Sequence, residues 1–556
     1  MNVDLPIGTT KGPGETPHEF TFVAPDPEQR LKYGEFVYYE VPFEGQPRRI
    51  LARISQRVPL RLFPDSFMSD PAVPPAEVAG LLGYESDVHE LFELTAVTLG
   101  YYEAGSGFVN PRIPPYSGAP IYIAADEALA EVLSRKRPGE LGAAHIGSLL
   151  SRERDAVPIA LEVRRFTSTH LAIIASTGSG KSYLAAGIIE ELMKPNNRAS
   201  VLIIDPHGEY DTLIEMQGMP EFSAPGYTPR VKIVRPGDIH VRVSSLTLGD
   251  LRYLLPNLSE RMHHLLSLAF GRVNRQHHGK WTRAQLEVAI RQGLRDEPVT
   301  DPEDDAEEDS SVGPLIWRLH SILGGERSIF DDHINLPLGE LFQPGQCTVL
   351  QLNDVPEREQ QIVVATLLRR LDQGRRDTVR GLSKPEDEDH VPYPAFVLIE
   401  EAHNFAPAGT EIITTQILKQ ILSEGRKFGL AVGLISQRPG RLDSDVLSQC
   451  MTQCVMRIVN PIDQARVAES VESVGRDLLM ELPSLTRGQV IVAGAAVNTP
   501  VMVQVRRRIT PHGAEDPDAP AEWLRYYDEE ARRRRERDAA PPPDSPTRQG
   551  RDRMFR

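Results

Sequence analysis

A segment of eight residues that follows a short apolar run constrains the fold more than any other feature. Residues 171–174 read Leu-Ala-Ile-Ile, and residues 175–182 read Ala-Ser-Thr-Gly-Ser-Gly-Lys-Ser. Gly178 and Gly180 let the backbone curl so that several N–H groups point at one anion, and a helix that begins at Lys181 adds the positive end of its dipole. The segment therefore predicts a strand, a phosphate-binding loop and a helix, in that order.

The residues of this loop have expected roles in binding a nucleotide. Lys181 is expected to reach the β- and γ-phosphates of ATP, and the Ser182 hydroxyl is expected to hold Mg²⁺. Ala175 stands where the first glycine of the pattern belongs. A Gly/Ser-rich turn without a ligand is the alternative to this prediction. The predicted nucleotide-binding residues are Ser176, Thr177, Gly178, Ser179, Gly180, Lys181, Ser182 and Tyr183.

Composition narrows the class of protein. The chain has 556 residues, enough for several domains, and its 40% hydrophobic and 25% charged residues are ordinary for a soluble globular protein. The three cysteines, Cys347, Cys450 and Cys454, predict no disulfide framework and fit a reducing cytoplasm. We expect Cys450 and Cys454 to be core residues and not metal ligands. The N-terminal residues lack a basic start and an apolar stretch, so we expect no signal peptide and no membrane span.

The formal net charge of −16 argues against a protein that coats nucleic acid with its whole surface. A local basic channel stays compatible with that charge because binding depends on the surface that faces the phosphates. Much of the acidity lies in residues 301–309, which we predict to be a solvated, disordered loop. The arginine run at 532–535 is interpreted as a solvated helix face, with nucleic-acid binding as the alternative.

Three segments follow from the pattern of apolar residues. Residues 1–155 contain short alternating runs bounded by Gly or Pro, at 18–23, 36–41 and 48–54, which predict a small β-barrel. Later strands are expected at 96–101 and 120–123, after a helix near 75–94. Residues 156–510 predict an α/β core with a helical insertion at about 245–335, in which Ser259 is a plausible N-cap. Residues 511–556 predict one helix followed by disorder.

Short apolar strands separated by helices are typical of a parallel sheet covered on both faces. The expected core strands are 171–175, 201–205, 231–234, 348–352, 396–400, 431–436 and 454–458. Their carboxyl ends would meet at one edge of the sheet, where ligands bind in folds of this class. Polar residues that follow these strands are therefore candidates for the same site.

Two carboxylates end the strand at 396–400. Glu400 is expected on the Mg²⁺ side, and Glu401 is expected to act as general base on the attacking water. Glutamate stands at 400, where aspartate is more usual in such sites. Solvated acids at a strand end are the alternative.

Gln437 and Arg426 complete the candidate catalytic set. Gln437 follows the strand at 431–436 and could hydrogen-bond the γ-phosphate or the attacking water. Arg426 follows an amphipathic helix at 413–422 that Gly429 is expected to cap. An arginine at a helix C-terminus also interacts favourably with the helix dipole, so a structural role is the alternative for Arg426.

Five sequence motifs lie at these strand ends and turns. They are the phosphate loop at 176–182, Asp-Pro-His-Gly-Glu-Tyr at 205–210, Ile-Glu-Glu-Ala-His-Asn-Phe at 399–405, Gly-Arg-Lys-Phe-Gly at 425–429 and Ser-Gln-Arg-Pro at 436–439. Together they resemble the HerA family of FtsK-related ATPases, and the stretch at 205–210 is the most specific of them. Over about residues 1–510, the resemblance implies a HAS-type β-barrel, a RecA-like P-loop core and the helical insertion.

The resemblance also implies roles and partners. Arg426 is similar to an arginine finger that is supplied to the neighbouring subunit, a kind of residue worth about 10³ to 10⁵ in rate. Asp205 is expected to help position Mg²⁺ or water, with a strand-end turn as the alternative. His207 and His403 are expected to be structural. Arg438 and Arg441 could contact DNA phosphates in the channel, although helix-end salt bridges would explain them equally well.

The function expected on these grounds is that of a homohexameric, Mg²⁺-dependent ATPase that moves double-stranded DNA through a central channel. The barrel ring would dock a nuclease or another effector, in DNA end processing or in anti-phage defence. One alternative is an ATP-dependent scaffold that assembles and activates a partner enzyme with little translocation. Another is a coupling ATPase of a secretion or conjugation machine, which the absence of a membrane segment disfavours.

Overall fold

The structure is a computed structural model, and it describes most of the chain. The described residues are 5–13, 16, 18–43, 45–60, 91–103, 105–292, 302–325, 328–471, 474–513 and 518–539. Residues 1–511 form one compact unit and residues 512–556 form another. The second unit contains a helix, Ala519–Ala539, as the sequence predicts.

A closed barrel forms the N-terminal part of the first unit. Its strands follow the order β2-β1-β7-β3-β4-β5, and β5 pairs back with β2, while the short β6 extends from β5. Alternate side chains of β2 are buried, and its Phe20 and Phe22 lie in the barrel core. The strands are β1 (Gly8–Pro13), β2 (Glu19–Pro25), β3 (Phe36–Phe43), β4 (Gln46–Pro59), β5 (Leu91–Glu103), β6 (Gly107–Val109) and β7 (Pro120–Ile123).

The helix predicted at 75–94 is not tested over most of its length. Residues 75–90 lie outside the described residues, and residues 91–94 belong to strand β5. At its C-terminal end the helix prediction is therefore wrong. Residues 91–97 pair with β2, and this long-range pairing overrides local helix preference.

An eleven-stranded sheet forms the core of the same unit, in the order β12-β15-β11-β16-β17-β10-β18-β19-β20-β8-β9. Seven of these strands, from β12 to β18 in that order, pair in parallel. They are the seven strands that the sequence predicts. Their bounds are β10 (Leu171–Ile174), β11 (Ser200–Asp205), β12 (Arg230–Val234), β15 (Gln346–Gln351), β16 (Ala395–Ile399), β17 (Leu430–Ser436) and β18 (Thr452–Val455).

Four antiparallel strands extend the sheet beyond β18, and the sequence patterns did not indicate them. The first of them in the chain, β8, lies within the segment 1–155 that we assigned to the barrel domain. They are β8 (Ala143–Leu149), β9 (Pro158–Glu162), β19 (Gln489–Gly494) and β20 (Val501–Val505). Two further short strands, β13 (Val241–Arg242) and β14 (Phe330–Asp331), pair with each other in parallel.

Helices cover both faces of the sheet. Along β11, Leu202 and Ile204 face one buried cluster with the insertion helices and α9, while Val201 and Ile203 face another with α2 and α3. The helices are α1 (Asp126–Val132), α2 (Val163–Thr169), α3 (Lys181–Met193), α4 (Leu248–Leu254), α5 (Glu260–His277), α6 (Arg283–Arg291), α7 (Pro302–Leu323), α8 (Leu338–Leu341), α9 (Glu357–Val379), α10 (Ile413–Glu424), α11 (Ser444–Ser448), α12 (Pro461–Ser470), α13 (Arg476–Met480) and α14 (Ala519–Ala539).

The insertion is helical, as the sequence predicts. Helices α4 to α7 lie between β13 and β14, and the Ser259 side chain caps α5 by accepting a hydrogen bond from the amide of Met262. The prediction of a disordered acidic loop at 301–309 is wrong from residue 302 onward, since α7 begins at Pro302. Proline is tolerated in the first turn of a helix.

The cysteines and the helices of the described residues bear on two further predictions. All three cysteines are buried and unpaired, and burial raises the pKa of the Cys347 thiol to about 12. Within the described ranges, no helix combines the length and the apolar character that crossing a bilayer requires.

Candidate nucleotide-binding site

The carboxyl ends of β10, β11, β16 and β17 meet at one edge of the parallel sheet. The phosphate loop follows β10 and leads into α3, whose N-cap is Gly180. Gly178 and Gly180 have φ angles of +77° and +103°, a region that favours glycine. The segment that follows β18 supports the loop. The Ser176 amide donates to the Arg457 carbonyl at 2.9 Å, and the hydroxyl of the buried Ser179 is directed at the same carbonyl.

Ala175, the departure from the loop pattern, is fully buried. It belongs to the core cluster beneath the loop, and its amide donates to the Ser436 carbonyl at 3.2 Å. The methyl group therefore packs into the core and stays out of the space where phosphates bind. Tyr183, at the other end of the loop, is half-buried, and its hydroxyl accepts a hydrogen bond from the amide of Arg508 at 2.7 Å.

Lys181 lies between two buried carboxylates. Its Nζ is 3.3 Å from Oε1 of Glu400 and 3.1 Å from Oε1 of Glu401. Burial alone would lower the pKa of Lys181, but Glu400, Glu401 and Glu209 raise it above its ordinary value. Burial raises the pKa of Glu400, and Lys181 opposes that shift. The lysine and the carboxylates therefore hold each other in place where the phosphates of a nucleotide would enter.

Glu209 and Tyr210, to which the sequence assigned no role, complete this cluster. The Ser182 hydroxyl donates to Oε2 of Glu209 and lies 3.1 Å from Oε1 of Glu400. The buried hydroxyl of Tyr210 donates to the same oxygen of Glu400 at 2.9 Å. Glu209 and Tyr210 belong to the family-specific motif at 205–210, and that motif could have indicated a role for them in the site. Glu209 thus stands beside the hydroxyl that is expected to hold Mg²⁺.

Asp205 organises the turn that follows β11. Its Oδ1 accepts hydrogen bonds from the amides of His207 at 3.2 Å and Gly208 at 2.8 Å, and its Oδ2 accepts one from the amide of Tyr210 at 3.2 Å. Both oxygens are therefore used by the turn that follows β11. Asp205 positions Glu209 and Tyr210, and this geometry favours the strand-end turn over metal contact.

Glu401 occupies an unusual backbone conformation, with a φ of +49°. Its side chain is buried, and no group among the described residues donates a hydrogen bond to its Oε2. His403 Nδ1 lies 3.3 Å from that oxygen and His207 Nε2 lies 4.0 Å from Oε1. Burial lowers the pKa of His403, and the nearby Glu401 opposes that shift. A buried carboxylate oxygen without a donor is suited to accept a proton from water.

The residues that follow β17 face the same site. The Thr177 hydroxyl donates to Oε1 of Gln437 at 2.8 Å, which joins the phosphate loop to the end of β17. The amide of Arg438 donates to the Ser436 hydroxyl at 3.1 Å. Arg438 and Arg441 are exposed, and their charges contribute to lowering the pKa of nearby His403. Arg438 and Arg441, the predicted DNA contacts, thus lie next to the sheet edge that carries the phosphate loop.

Arg426 lies at the opposite edge of the sheet. It is exposed in the turn Gly425–Phe428, which precedes the start of β17 at Leu430, whereas the phosphate loop and Gln437 lie beyond the other end of that strand. Seven residues of strand span about 20 Å. The Arg426 side chain therefore cannot reach the phosphate loop of its own chain.

The residues present fit Mg²⁺ and a nucleotide. No cluster of three or more acidic, histidine or cysteine ligands occurs in the described ranges, but Mg²⁺ is commonly held by one or two carboxylates together with substrate phosphates and water. Ser182, with Glu209 and Glu400 beside it, would supply the protein ligands. The Oε2 atom of Glu401 accepts no hydrogen bond from a described residue and is not needed for these contacts.

Comparisons with known proteins agree with this geometry. A family model described as the central domain of helicase HerA matches residues 144–371. The DNA double-strand break repair helicase HerA of Pyrococcus furiosus is 28% identical over 446 residues, covering 74% of this chain and 77% of that protein. A probable helicase of Methanocaldococcus jannaschii is 30% identical over 408 residues, covering 73% of this chain and 74% of that protein.

The chain belongs to the HerA family of helicases. The predicted family is thereby confirmed. The HerA-family chain, with its phosphate loop and acidic cluster, is a P-loop ATPase that uses ATP and Mg²⁺. Among solved structures, VirB4 of Thermoanaerobacter pseudethanolicus has a looser likeness in fold. That alignment covers 67% of this chain and 98% of the VirB4 chain, with 12% identity and a TM-score of 0.46.

Proposed function

We propose that this protein is one subunit of a homohexameric ATPase that moves double-stranded DNA through a central channel. One observation carries the proposal: Lys181, Glu400 and Glu401 meet at one edge of the sheet, whereas Arg426 is exposed at the other. Each subunit thus offers two half-sites that a head-to-tail ring would join. The name of the P. furiosus relative, a DNA double-strand break repair helicase, supports DNA as the polymer that is moved.

When ATP binds, the Lys181 ammonium group would leave the carboxylates and contact the phosphates. Its ammonium group is held by Glu400 and Glu401, and it would exchange these partners for the β- and γ-phosphate oxygens. Ser182, with Glu209 and Glu400, would hold Mg²⁺, which supplies positive charge against the charge that develops on the phosphates. Glu401 would accept the proton of the attacking water at Oε2, while the neighbour's Arg426 would stabilise the transition state.

Gln437 would connect hydrolysis to DNA. It contacts the phosphate loop through Thr177 and is followed directly by Arg438, with Arg441 in the next turn. A change in the hydrogen bonds of Gln437 would therefore move a segment that carries two exposed arginines. Exposed arginines bind phosphates without regard to base sequence, as a translocating protein requires.

The barrel is proposed as the docking platform for a partner. In a ring of six subunits it would lie beside the ATPase core, where a nuclease or another effector would act on DNA that leaves the channel. Processing of DNA ends and anti-phage defence are both compatible with this arrangement.

We expect Glu401→Gln to bind ATP without turning it over. The amide keeps the shape of the side chain but cannot accept a proton, and positioned acid–base groups contribute about 10²- to 10⁴-fold in rate. The measurement is single-turnover hydrolysis alongside equilibrium binding of ATP. Glu411→Gln, at an exposed position, is the matched control and should hydrolyse ATP as the unchanged protein does. Turnover that persists in Glu401→Gln would remove Glu401 as the base.

Stimulation of ATP hydrolysis by DNA tests the proposed function. A translocase should hydrolyse ATP faster when double-stranded DNA is added, and the stimulation should weaken in an Arg438→Ala, Arg441→Ala double variant because both cations face the proposed channel. A scaffold that uses ATP only to assemble a partner should hydrolyse at the same rate with and without DNA. Equal rates would therefore contradict translocation and favour the scaffold.

A further inference from the structure

The turn that carries Arg426 is held by a buried guanidinium. Arg375, near the end of α9, donates through Nε and Nη2 to the carbonyl oxygen of Phe428, at 2.8 Å and 2.5 Å. Its Nη1 donates to the Val391 carbonyl at 2.6 Å. Only 4% of Arg375 is exposed. Three hydrogen bonds of one side chain thus connect the helix end, the turn and the segment that leads into β16.

The partners of Arg375 are neutral. In the described part of the chain no ion pair joins it to a carboxylate, and burial lowers the pKa of the guanidinium from its ordinary value. An arginine remains charged even so, because its pKa starts above about 12. Burying a cation against carbonyl oxygens alone is costly, and an apolar residue could have filled the same space at a lower cost.

The aromatic ring of Phe428, like its carbonyl group, is held by an arginine of α9. The Arg376 guanidinium lies 4.6 Å from the ring centroid, and Arg376 also bonds to Asp372 and to Glu424, each at 2.8 Å. Glu424 is the last residue of α10, directly before the turn. The turn is therefore tied to α9 on both sides of Arg426.

Two glycines allow this close approach. A Cβ atom at Gly429, whose φ is +68°, would meet Nη2 of Arg375 at 3.1 Å, and one at Gly425 would meet the Leu430 carbonyl oxygen at 2.7 Å. A side chain at Gly429 would crowd Arg375 of α9, and one at Gly425 would crowd the start of β17. The two glycines that flank the turn thus permit the contacts that hold it.

The other end of α9 is anchored next to the catalytic carboxylates. Gln361 donates through Nε2 to the carbonyl oxygen of Asn404, at 2.7 Å, in the turn that follows Glu401. Gln361 and Arg375 are separated by about 21 Å along the helix at 1.5 Å per residue. One continuous helix thus contacts both the Glu401 turn and the Arg426 turn of the same subunit.

We propose that Arg375 is a positioning residue for Arg426, so that α9 places the arginine offered to the neighbouring subunit at a set distance from the subunit's own nucleotide site. This inference rests on the proposed function, in which Arg426 acts on the neighbour's ATP. Arg375 touches neither substrate nor reacting atoms. It acts by keeping the Phe428 carbonyl, and with it the backbone of the turn, at one place.

The test is Arg375→Met, measured by steady-state hydrolysis. We expect kcat to fall about 10²-fold, the effect of misplacing a catalytic group by about 1 Å, while the equilibrium affinity for ATP at the variant's own phosphate loop stays unchanged. Arg375→Lys, which can still donate to one carbonyl, should fall in between. Arg358→Met, an exposed arginine at the start of the same helix, is the matched control and should retain the full rate.

Mixed rings separate positioning from a general loss of structure. Arg375→Met subunits mixed with Lys181→Ala subunits should recover activity, because the intact Arg426 turn of the second subunit serves the intact phosphate loop of the first. Arg375→Met mixed with Arg426→Ala should not recover, since both chains carry a defective turn. A subunit that is merely unstable would show no recovery in either mixture.

The outcomes also separate this inference from the function on which it rests. Recovery with Arg426→Ala plus Lys181→Ala, but none with Arg375→Met plus Lys181→Ala, would overturn the role of Arg375 and leave the shared site intact. An unchanged kcat in Arg375→Met would overturn it as well. Failure of the Arg426→Ala and Lys181→Ala mixture would instead overturn the shared site, and the inference with it.

Discussion

Lys181→Ala is expected to abolish ATP hydrolysis, the largest effect of any single substitution in this site. The ammonium group is the cation nearest to the position of the β- and γ-phosphates, and its removal also leaves Glu400 and Glu401 without their shared partner. Two buried carboxylates would then face an incoming nucleotide and repel it. Both binding and hydrolysis should therefore be lost, as measured by equilibrium binding of ATP and by phosphate release.

The same variant should lose thermal stability in a way that depends on pH. Burial raises the pKa of Glu400, and Lys181 opposes that shift, so the pKa rises further in the variant. A carboxyl group with a raised pKa destabilises the fold once pH exceeds its unfolded value of about 4.3. In EDTA, the difference in Tm between Lys181→Ala and the unchanged protein should be larger at pH 8 than at pH 5. Equal differences at both pH values would contradict this account.

Arg426→Ala is expected to reduce kcat by about 10³- to 10⁵-fold, the range measured for arginine fingers, with little change in ATP affinity. The reason is positional, since the side chain lies at the sheet edge opposite its own phosphate loop. Lys427→Ala, which removes the adjacent exposed cation from the same turn, is the control and should keep the rate. A loss of equal size in Lys427→Ala would indicate that the turn needs only positive charge.

Mixing Arg426→Ala with Lys181→Ala tests whether the arginine acts between subunits. In a randomly mixed head-to-tail ring, about a quarter of the interfaces would pair an intact phosphate loop with an intact arginine. Activity should therefore return although neither variant is active alone. A mixture that stays inactive under conditions where the subunits exchange would show that Arg426 does not act in trans.

The parallel half of the sheet could be predicted from the sequence, whereas its antiparallel half could not. Strands such as β11 and β17 are continuous apolar runs bounded by polar residues, which is a local signal. Strand β20 pairs with β8 across more than 350 residues of chain. No periodic pattern links two short strands at such a separation, so the pairing of β20 with β8 could not be predicted from the sequence.

Site residues that directly follow a buried strand could be predicted from the sequence. A site residue that tertiary contacts bring into place could not. Glu400, Glu401 and Gln437 come directly after buried strands and meet the phosphate loop, as expected. The role of Glu209 depends on a turn that Asp205 organises, and only the folded turn shows that Glu209 reaches Ser182. The turn alternative for Asp205 likewise depends on hydrogen bonds from the amides of Gly208 and Tyr210, which residue type alone does not reveal.

The positive φ of Glu401 places the catalytic and the structural requirements of this position in opposition. A residue other than glycine in this conformation costs roughly 1 to 2 kcal/mol, and here the strained residue is also the proposed base. Glycine would relax the backbone and remove the carboxylate at the same time. Selection of variants for heat resistance alone would therefore favour loss of the base at this position, so thermostable forms should be screened for turnover as well as for Tm.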